Sequence, residues 1–187
     1  MRGRGLALVG GLGGTALGLT WLLVRGALTV DLGIGRSVRR LGPIDIRIDA
    51  PREVVYDVIA APYLRRTPRA LEGKLHVVER GTDLVLAEHF TEVGKLVATT
   101  LETVRFEKPR VIHFRLVRGP VPHVVERFVL HETEAGTTLL YTGELGTDLW
   151  ALGRGWGKQV ASRWEATVQS SLAAVKTEAE RRAASRD

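Results

Sequence analysis

Residues 43–59 read PIDIRIDAPREVVYDVI, and the apolar period changes halfway along this stretch. Ile44, Ile46 and Ile48 alternate with Asp45, Arg47 and Asp49, the period of two expected of a half-buried strand. From Val55 the spacing becomes helical, with Val55, Val58 and Ile59 on one face. Pro51 suits a first helical turn, and Glu53 puts negative charge at the positive end of the helix dipole. Pro62 closes this helix, and a second short helical or irregular piece runs to Leu71.

Downstream, strand-like runs cover 74–80, 83–92, 95–106, 110–118, 122–133 and 137–146. Gly81-Thr82, Gly94, Lys108-Pro109, Gly119-Pro120 and Ala135-Gly136 punctuate them. Gaps this short imply hairpins and hence an antiparallel meander. The chain then turns helical, with Val160, Trp164, Val168, Leu172 and Val175 as its apolar stripe. Gly153, Gly155 and Gly157 are expected to bend or delay the start of that helix. The order strand, two short helices, six strands, long helix defines an α+β protein. A curved antiparallel sheet must cover one face, and the last helix is the only large cover available. A sheet wrapped around one helix is expected to leave a mostly apolar cavity between them.

Upstream, residues 5–24 (GLALVGGLGGTALGLTWLLV) contain no charge. About 20 apolar residues in a helix match the thickness of the hydrocarbon layer. Trp21 near the downstream end fits the interfacial belt, and Arg25 spoils the small-residue site that signal cleavage needs. The reading is a single-pass anchor over 1–26, a basic connector over 27–42 and one ligand-binding domain over 43–187. Gly10, Gly14 and Gly18 share a helix face that would let two copies approach, a candidate homodimer contact.

The net charge of +6 resides mostly outside the folded domain. Residues 1–42 hold six arginines and one acid, whereas 43–187 hold 21 basic and 20 acidic residues. Cations that bracket an apolar segment point to anionic lipid, not nucleic acid, and to a cell-membrane location with the domain on the cytoplasmic side. The absence of cysteine excludes disulfides and thiolate chemistry.

The segment Ile48-x-Ala50-Pro51-x-Glu53-x-Val55-Tyr56-x-x-Ile59 resembles the opening of the START-like (SRPBCC) superfamily. This group includes lipid-transfer domains and polyketide cyclase/dehydrase-like proteins. Val104-x-Phe106-x-x-Pro109, Glu126-Arg127-Phe128-x-Leu130 and Gly136-Thr137-Thr138-Leu139 are similar to its later strands. The resemblance spans 44 to about 180. It implies a helix-grip fold with an internal hydrophobic cavity and no universal catalytic residue.

No hydrolase elbow, phosphate loop, dinucleotide fingerprint or zincin helix occurs, and no cofactor is expected. The five histidines lack short ligand spacings, so no metal is expected and surface or edge positions are the default. Alternation groups Glu126, Phe128 and Leu130 on one face, and Leu139 with Tyr141 on the next strand. Glu126 then has two readings. It faces the cavity, desolvated and available as an acid/base, or it sits at the rim paired with an arginine, the commoner arrangement. Tyr141 either presents its hydroxyl to a ligand or packs in the core with the hydroxyl reaching solvent. Phe114 and Leu116 are candidate walls. Trp150 and Trp156 flank the glycines, where they could gate a cavity or dip into the lipid interface. Three functions follow: a membrane-tethered binder or carrier of a lipid, isoprenoid, quinone or polyketide-like molecule; a cyclase or dehydratase using Glu126, Tyr141 or a histidine; or a structural module with a filled interior. The first needs no catalytic motif and is preferred.

Overall fold

The computed structural model describes residues 17–65, 67 and 69–185. Seven antiparallel strands form one sheet in the order β1-β7-β6-β5-β4-β3-β2. They are β1 (Ser37–Ile48), β2 (Leu75–Arg80), β3 (Leu84–Val93), β4 (Leu96–Glu107), β5 (Val111–Arg118), β6 (His123–Thr133) and β7 (Gly136–Thr147). Helix α1 (Arg52–Leu64) follows β1, and α2 (Trp150–Ala184) follows β7. A 3-10 turn, Arg69–Leu71, takes the place of the second short helix. This is the helix-grip arrangement: β2 to β7 run as a meander, and β1 closes onto β7 instead of onto its sequence neighbour.

Alternation dictates which side chains point inward. Ile48 on β1, Val85 and Ala87 on β3, Val104 on β4, Ile112 on β5, and Val124 and Leu130 on β6 are all buried. They form the core with Leu139 and Leu145 of β7, Val54, Val55 and Tyr56 of α1, and Ala161, Val168 and Leu172 of α2.

Three expectations need correction. β1 begins at Ser37, inside the stretch read as a connector, and pairs with β7 from Ser37↔Thr147 onward. The glycines do not delay the last helix, which starts at Trp150 and contains all three. Their role is close approach: a Cβ on Gly153 would stand 1.6 Å from the Asp148 carbonyl, and one on Gly157 would stand 3.0 Å from Thr147. In the expected stripe only Val168 and Leu172 are buried, while Val160, Trp164 and Val175 remain partly exposed. The helix seals one part of the concave face and covers the rest loosely.

The residues before β1 form a strap across one end of the sheet. Gly26 sits against Thr99, and Thr29 Oγ1 donates to the Gly119 carbonyl (2.7 Å) and accepts from the Gly119 amide (3.1 Å). Asp148, with its side chain only 1% exposed, accepts from Arg36 Nε at 2.7 Å. It also accepts from the amides of Leu32 (2.6 Å) and Gly33 (2.8 Å). The Arg36 guanidinium and these amides hold the Asp148 carboxyl down at about 2. The next two residues, Leu149 (φ 69°) and Trp150 (φ 48°), are left-handed although neither is glycine. Such backbone costs on the order of 1–3 kcal/mol per residue and persists where surrounding contacts enforce it.

Of the segment read as an anchor, residues 5–16 lie outside the described residues, together with Gly10 and Gly14. Residues 17–24 are helical, and a Cβ on Gly18 would touch nothing within 4 Å. Among the described residues no helix is long and apolar enough to cross a membrane.

Candidate functional site

The β5, β6 and β7 registers bring Phe114 opposite Glu126 and Phe128 opposite Tyr141 on the concave face. Opposite Glu126 on β7 stands Gly143, where a Cβ would press on the Glu126 side chain at 3.2 Å. That glycine leaves room for a carboxylate inside the sheet. Glu126 is 5% exposed and does not pair with an arginine at the rim. Its Oε1 accepts from the Tyr141 hydroxyl (2.6 Å) and from the Trp164 indole N–H of α2 (2.7 Å). Its Oε2 makes no hydrogen bond among the described residues. The rim reading fails because register, not chain position, sets depth: residue 126 lies mid-sheet between β5 and β7.

Burial pushes the Glu126 carboxyl up to about 7, and the nearby negative charge of Glu102 adds to this. The bonds from Tyr141 and Trp164 oppose the rise by favouring the ionised form. Burial, then Glu126 itself, pushes the Tyr141 hydroxyl up, so the tyrosine is a donor to Glu126 and not a base.

A second polar group lies across the aromatic wall. Glu102 on β4 is 5% exposed and accepts from Thr100 Oγ1 at 2.6 Å. Its Oε2 lies 3.4 Å from Nδ1 of His89 on β3, an ion-pair distance that is too poorly directed for a hydrogen bond, so Nδ1 is buried without one. His89 Nε2 meets the hydroxyl of Tyr63, from the last turn of α1, at 2.8 Å. Burial and the two carboxylates push the Tyr63 hydroxyl up. The ring of His89 thus bridges the Tyr63 hydroxyl on one side and the Glu102 carboxylate on the other. Edge contacts link the two groups through aromatic rings, with centroids at 5.9 Å for Tyr63–Phe114 and 5.3 Å for both Phe114–Phe128 and Phe128–Tyr141.

The structure therefore brings Phe114, Glu126, Phe128 and Tyr141 together, with Leu116 next along β5. Leu130 is core, 2% exposed. Trp156 is half-buried and donates from its indole to the Pro120 carbonyl at 2.8 Å, tying α2 to the β5–β6 loop. Trp150 is 59% exposed and lies on Gly35, away from the site. Sequence reasoning missed Tyr63, His89, Thr100 and Glu102, and treated Trp164 as packing alone. One signal was available: Glu102 shares its face with Val104 and Phe106, and His89 with Val85 and Ala87. The remaining histidines are at the surface or half-buried, and three of them pair with Glu88, Glu107 and Glu144.

The interior is filled more tightly than the expected cavity. Open depressions of about 480 and 460 Å³ lie elsewhere, one beside β2 and one between β1 and α2. Phe106, Phe128, Trp156, Val160 and Trp164 pack on the core while staying partly exposed. Of these, Trp164 bonds Glu126 and Phe128 lies against Tyr141, so the buried carboxyl has incompletely covered apolar neighbours. Among the described residues no group of acids and histidines is placed to hold a metal ion.

Comparison with known structures supports this architecture. The Zhui aromatase/cyclase from Streptomyces sp. R1128 superposes with a TM-score of 0.63 at 18% identity, covering 78% of this chain and 96% of that one. The di-domain ARO/CYC BexL from the BE-7585A biosynthetic pathway gives 0.53 at 21% identity, covering 80% of this chain and 50% of that one. TTHA0849 from Thermus thermophilus gives 0.54 at 17% identity, covering 77% and 94%. At these identities the likeness is one of fold. No curated protein matches the chain. The family described as polyketide cyclase / dehydrase and lipid transport matches residues 44–180. That span takes in β1 from Ile44, the whole meander, nearly all of both helices and every member of the buried polar site, and the chain belongs to this family.

Proposed function

We propose that this chain binds, and passes on, a hydrophobic small molecule with an oxygen-bearing end, of the lipid, isoprenoid, quinone or polyketide-like class, while tethered to a membrane by residues 5–24. The observation that carries the reading is the open oxygen of Glu126. Tyr141 and Trp164 both bond Oε1. A carboxyl held near neutrality then has Oε2 free to donate to a carbonyl or accept from a hydroxyl. A plain apolar core gains nothing from such a group, because burying a carboxyl that lacks full pairing is unfavourable. The aromatic rings supply the apolar wall that the rest of such a ligand needs. Tethering would keep this site beside the phase where these molecules partition.

The test is native mass spectrometry of the full chain released from detergent after expression in a lipid-containing host. The expected result is a co-purifying apolar compound that is lost or exchanged in Glu126→Gln. Empty protein without affinity for hydrophobic fluorescent probes would refute the reading and favour a structural module.

The presence of Glu126 and His89 at the two ends of one aromatic wall favours a second reading, acid/base catalysis of cyclisation or dehydration. One group near pH 7 and one histidine are suited to giving and taking protons. Turnover of a polyketide-like substrate that disappears in Glu126→Gln and in His89→Gln, with binding retained, would select it over carriage alone.

A further inference from the structure

One end of the molecule carries cations that no carboxylate neutralises. The depression of about 460 Å³ between β1, the end of β7 and the first turns of α2 is lined by Arg39, Arg40, Arg154 and Lys158. None of these four has an ion-pair partner among the described residues. Arg36, Arg52, Arg105, Arg118, Arg181 and Arg182 each meet an acid. Arg47, Arg110, Arg115, Arg127 and Arg163 also lack an ion pair among the described residues, so it is their gathering around one depression that distinguishes the four.

Exposed apolar side chains lie at the same end of the molecule: Leu32 (56%), Ile34 (52%), Trp150 (59%) and Leu152 (75%). They are fixed relative to one another. The amides of Leu149 and Trp150 donate to the carbonyls of Ile34 (2.9 Å) and Gly35 (3.1 Å). Asp148 grips the amides of Leu32 and Gly33. The strap leaves this same end through Gly26, and Leu17, Leu19, Trp21 and Leu22 before it are exposed as well.

We infer that this end of the folded domain docks onto an anionic lipid bilayer. Leu32, Ile34, Trp150 and Leu152 enter the interfacial layer, and Arg39, Arg40, Arg154 and Lys158 meet headgroup phosphates. Apolar and aromatic residues beside unpaired cations are the combination that an anionic bilayer attracts. A nucleic acid would use the cations but gain nothing from the aliphatic side chains. Docked this way, the loop Gly119–Pro120 and its partner Trp156 face the membrane. The shortest route from lipid to Glu126 then runs along α2. The inference rests on the reading that the chain works at a membrane.

The chain has no cysteine, so a single Leu152→Cys takes a polarity-sensitive dye at one place. Thr82→Cys, in the β2–β3 turn at the opposite end, is the reference. The full chain is mixed with phosphatidylcholine vesicles, with or without phosphatidylglycerol, and flotation reports the tether independently of the dye. The expected result is a blue shift at position 152 that is larger with phosphatidylglycerol, and none at position 82. Replacing Arg39, Arg40, Arg154 and Lys158 together by Gln should lower the docked fraction by on the order of tenfold or more. Vesicles that float with an unshifted dye at 152 overturn the docking surface and leave the tether standing. A chain that does not float overturns both. A shift equal on both lipids, or one that survives the four replacements, overturns the role of the cations. A response to duplex DNA in place of vesicles reassigns the surface to nucleic acid.

Discussion

Replacing Glu126 by Gln should remove most of one pH dependence of stability. The folded chain holds the Glu126 proton up to about 7, against 4.5 for an ordinary glutamate. Below about pH 4.5 the folded and unfolded chains both carry the proton, and ionisation adds no penalty. Between that pH and about 7 the unfolded chain ionises first, so stability falls as pH rises; above about 7 the loss is complete. At 1.36 kcal/mol per pH unit the interval corresponds to about 3 kcal/mol. Glutamine keeps an oxygen to accept from Tyr141 and Trp164 and stays neutral throughout. Thermal unfolding of the full chain in micelles, followed by circular dichroism at about pH 5 and about pH 8, reads the difference. Wild type should lose about 2.5 kcal/mol more than Glu126→Gln between the two, since the unfolded glutamate is already partly ionised at about pH 5, a gap in Tm on the order of 5–10 °C. Titrations of groups that do not interact with Glu126 cancel in this comparison. Parallel pH profiles would refute the argument, because they would mean that Glu126 is hydrated in the folded state.

Tyr141→Phe removes a donor that favours the ionised carboxyl, so the midpoint of the same profile should move to higher pH, while stability at low pH falls by only about 1 kcal/mol. Gly155→Ala meets open space and should stabilise by up to about 1 kcal/mol in a urea titration, as helix propensity requires. Gly153→Ala collides with the Asp148 carbonyl and should destabilise by about 2 kcal/mol or more in the same titration. Asp148→Asn gives up the charge-assisted bonds to Arg36, Leu32 and Gly33, and hydrogen exchange at those two amides should quicken roughly tenfold. Because its folded carboxyl lies at about 2, below the usual 3.8, the wild-type tie should hold at neutral pH and be lost only as pH falls through that interval.

Much of the fold was legible because period and punctuation are local properties. The expected runs 110–118 and 122–133 coincide with β5 and β6 to within a residue, since proline and glycine mark their ends. β1 was read too short. Ser37 to Leu41 alternates poorly and is interrupted at Gly42-Pro43, and its strand character comes from partners on β7 that lie about a hundred residues away. The glycines of α2 were misread for a related reason. Helix propensity sees only a missing side chain, whereas β7 needs that missing Cβ in order to approach.

The site divides in the same way. Alternation placed Glu126, Phe128 and Tyr141 on inward faces, a consequence of covalent geometry and the pleat alone. It left β3 and β4 ambiguous, because apolar and polar residues occupy both of their faces, and so His89 passed as a surface or edge residue and Glu102 was not singled out. Which oxygen of Glu126 is bonded depends on contacts from separate elements, and so does the chemistry of His89 and Tyr63. Composition and periodicity settled the meander and the long covering helix, and the motifs along them pointed to the family. Only tertiary packing could decide that two carboxylates are buried in one interior, because desolvation and through-space charge act between residues whose separation along the chain carries no signal.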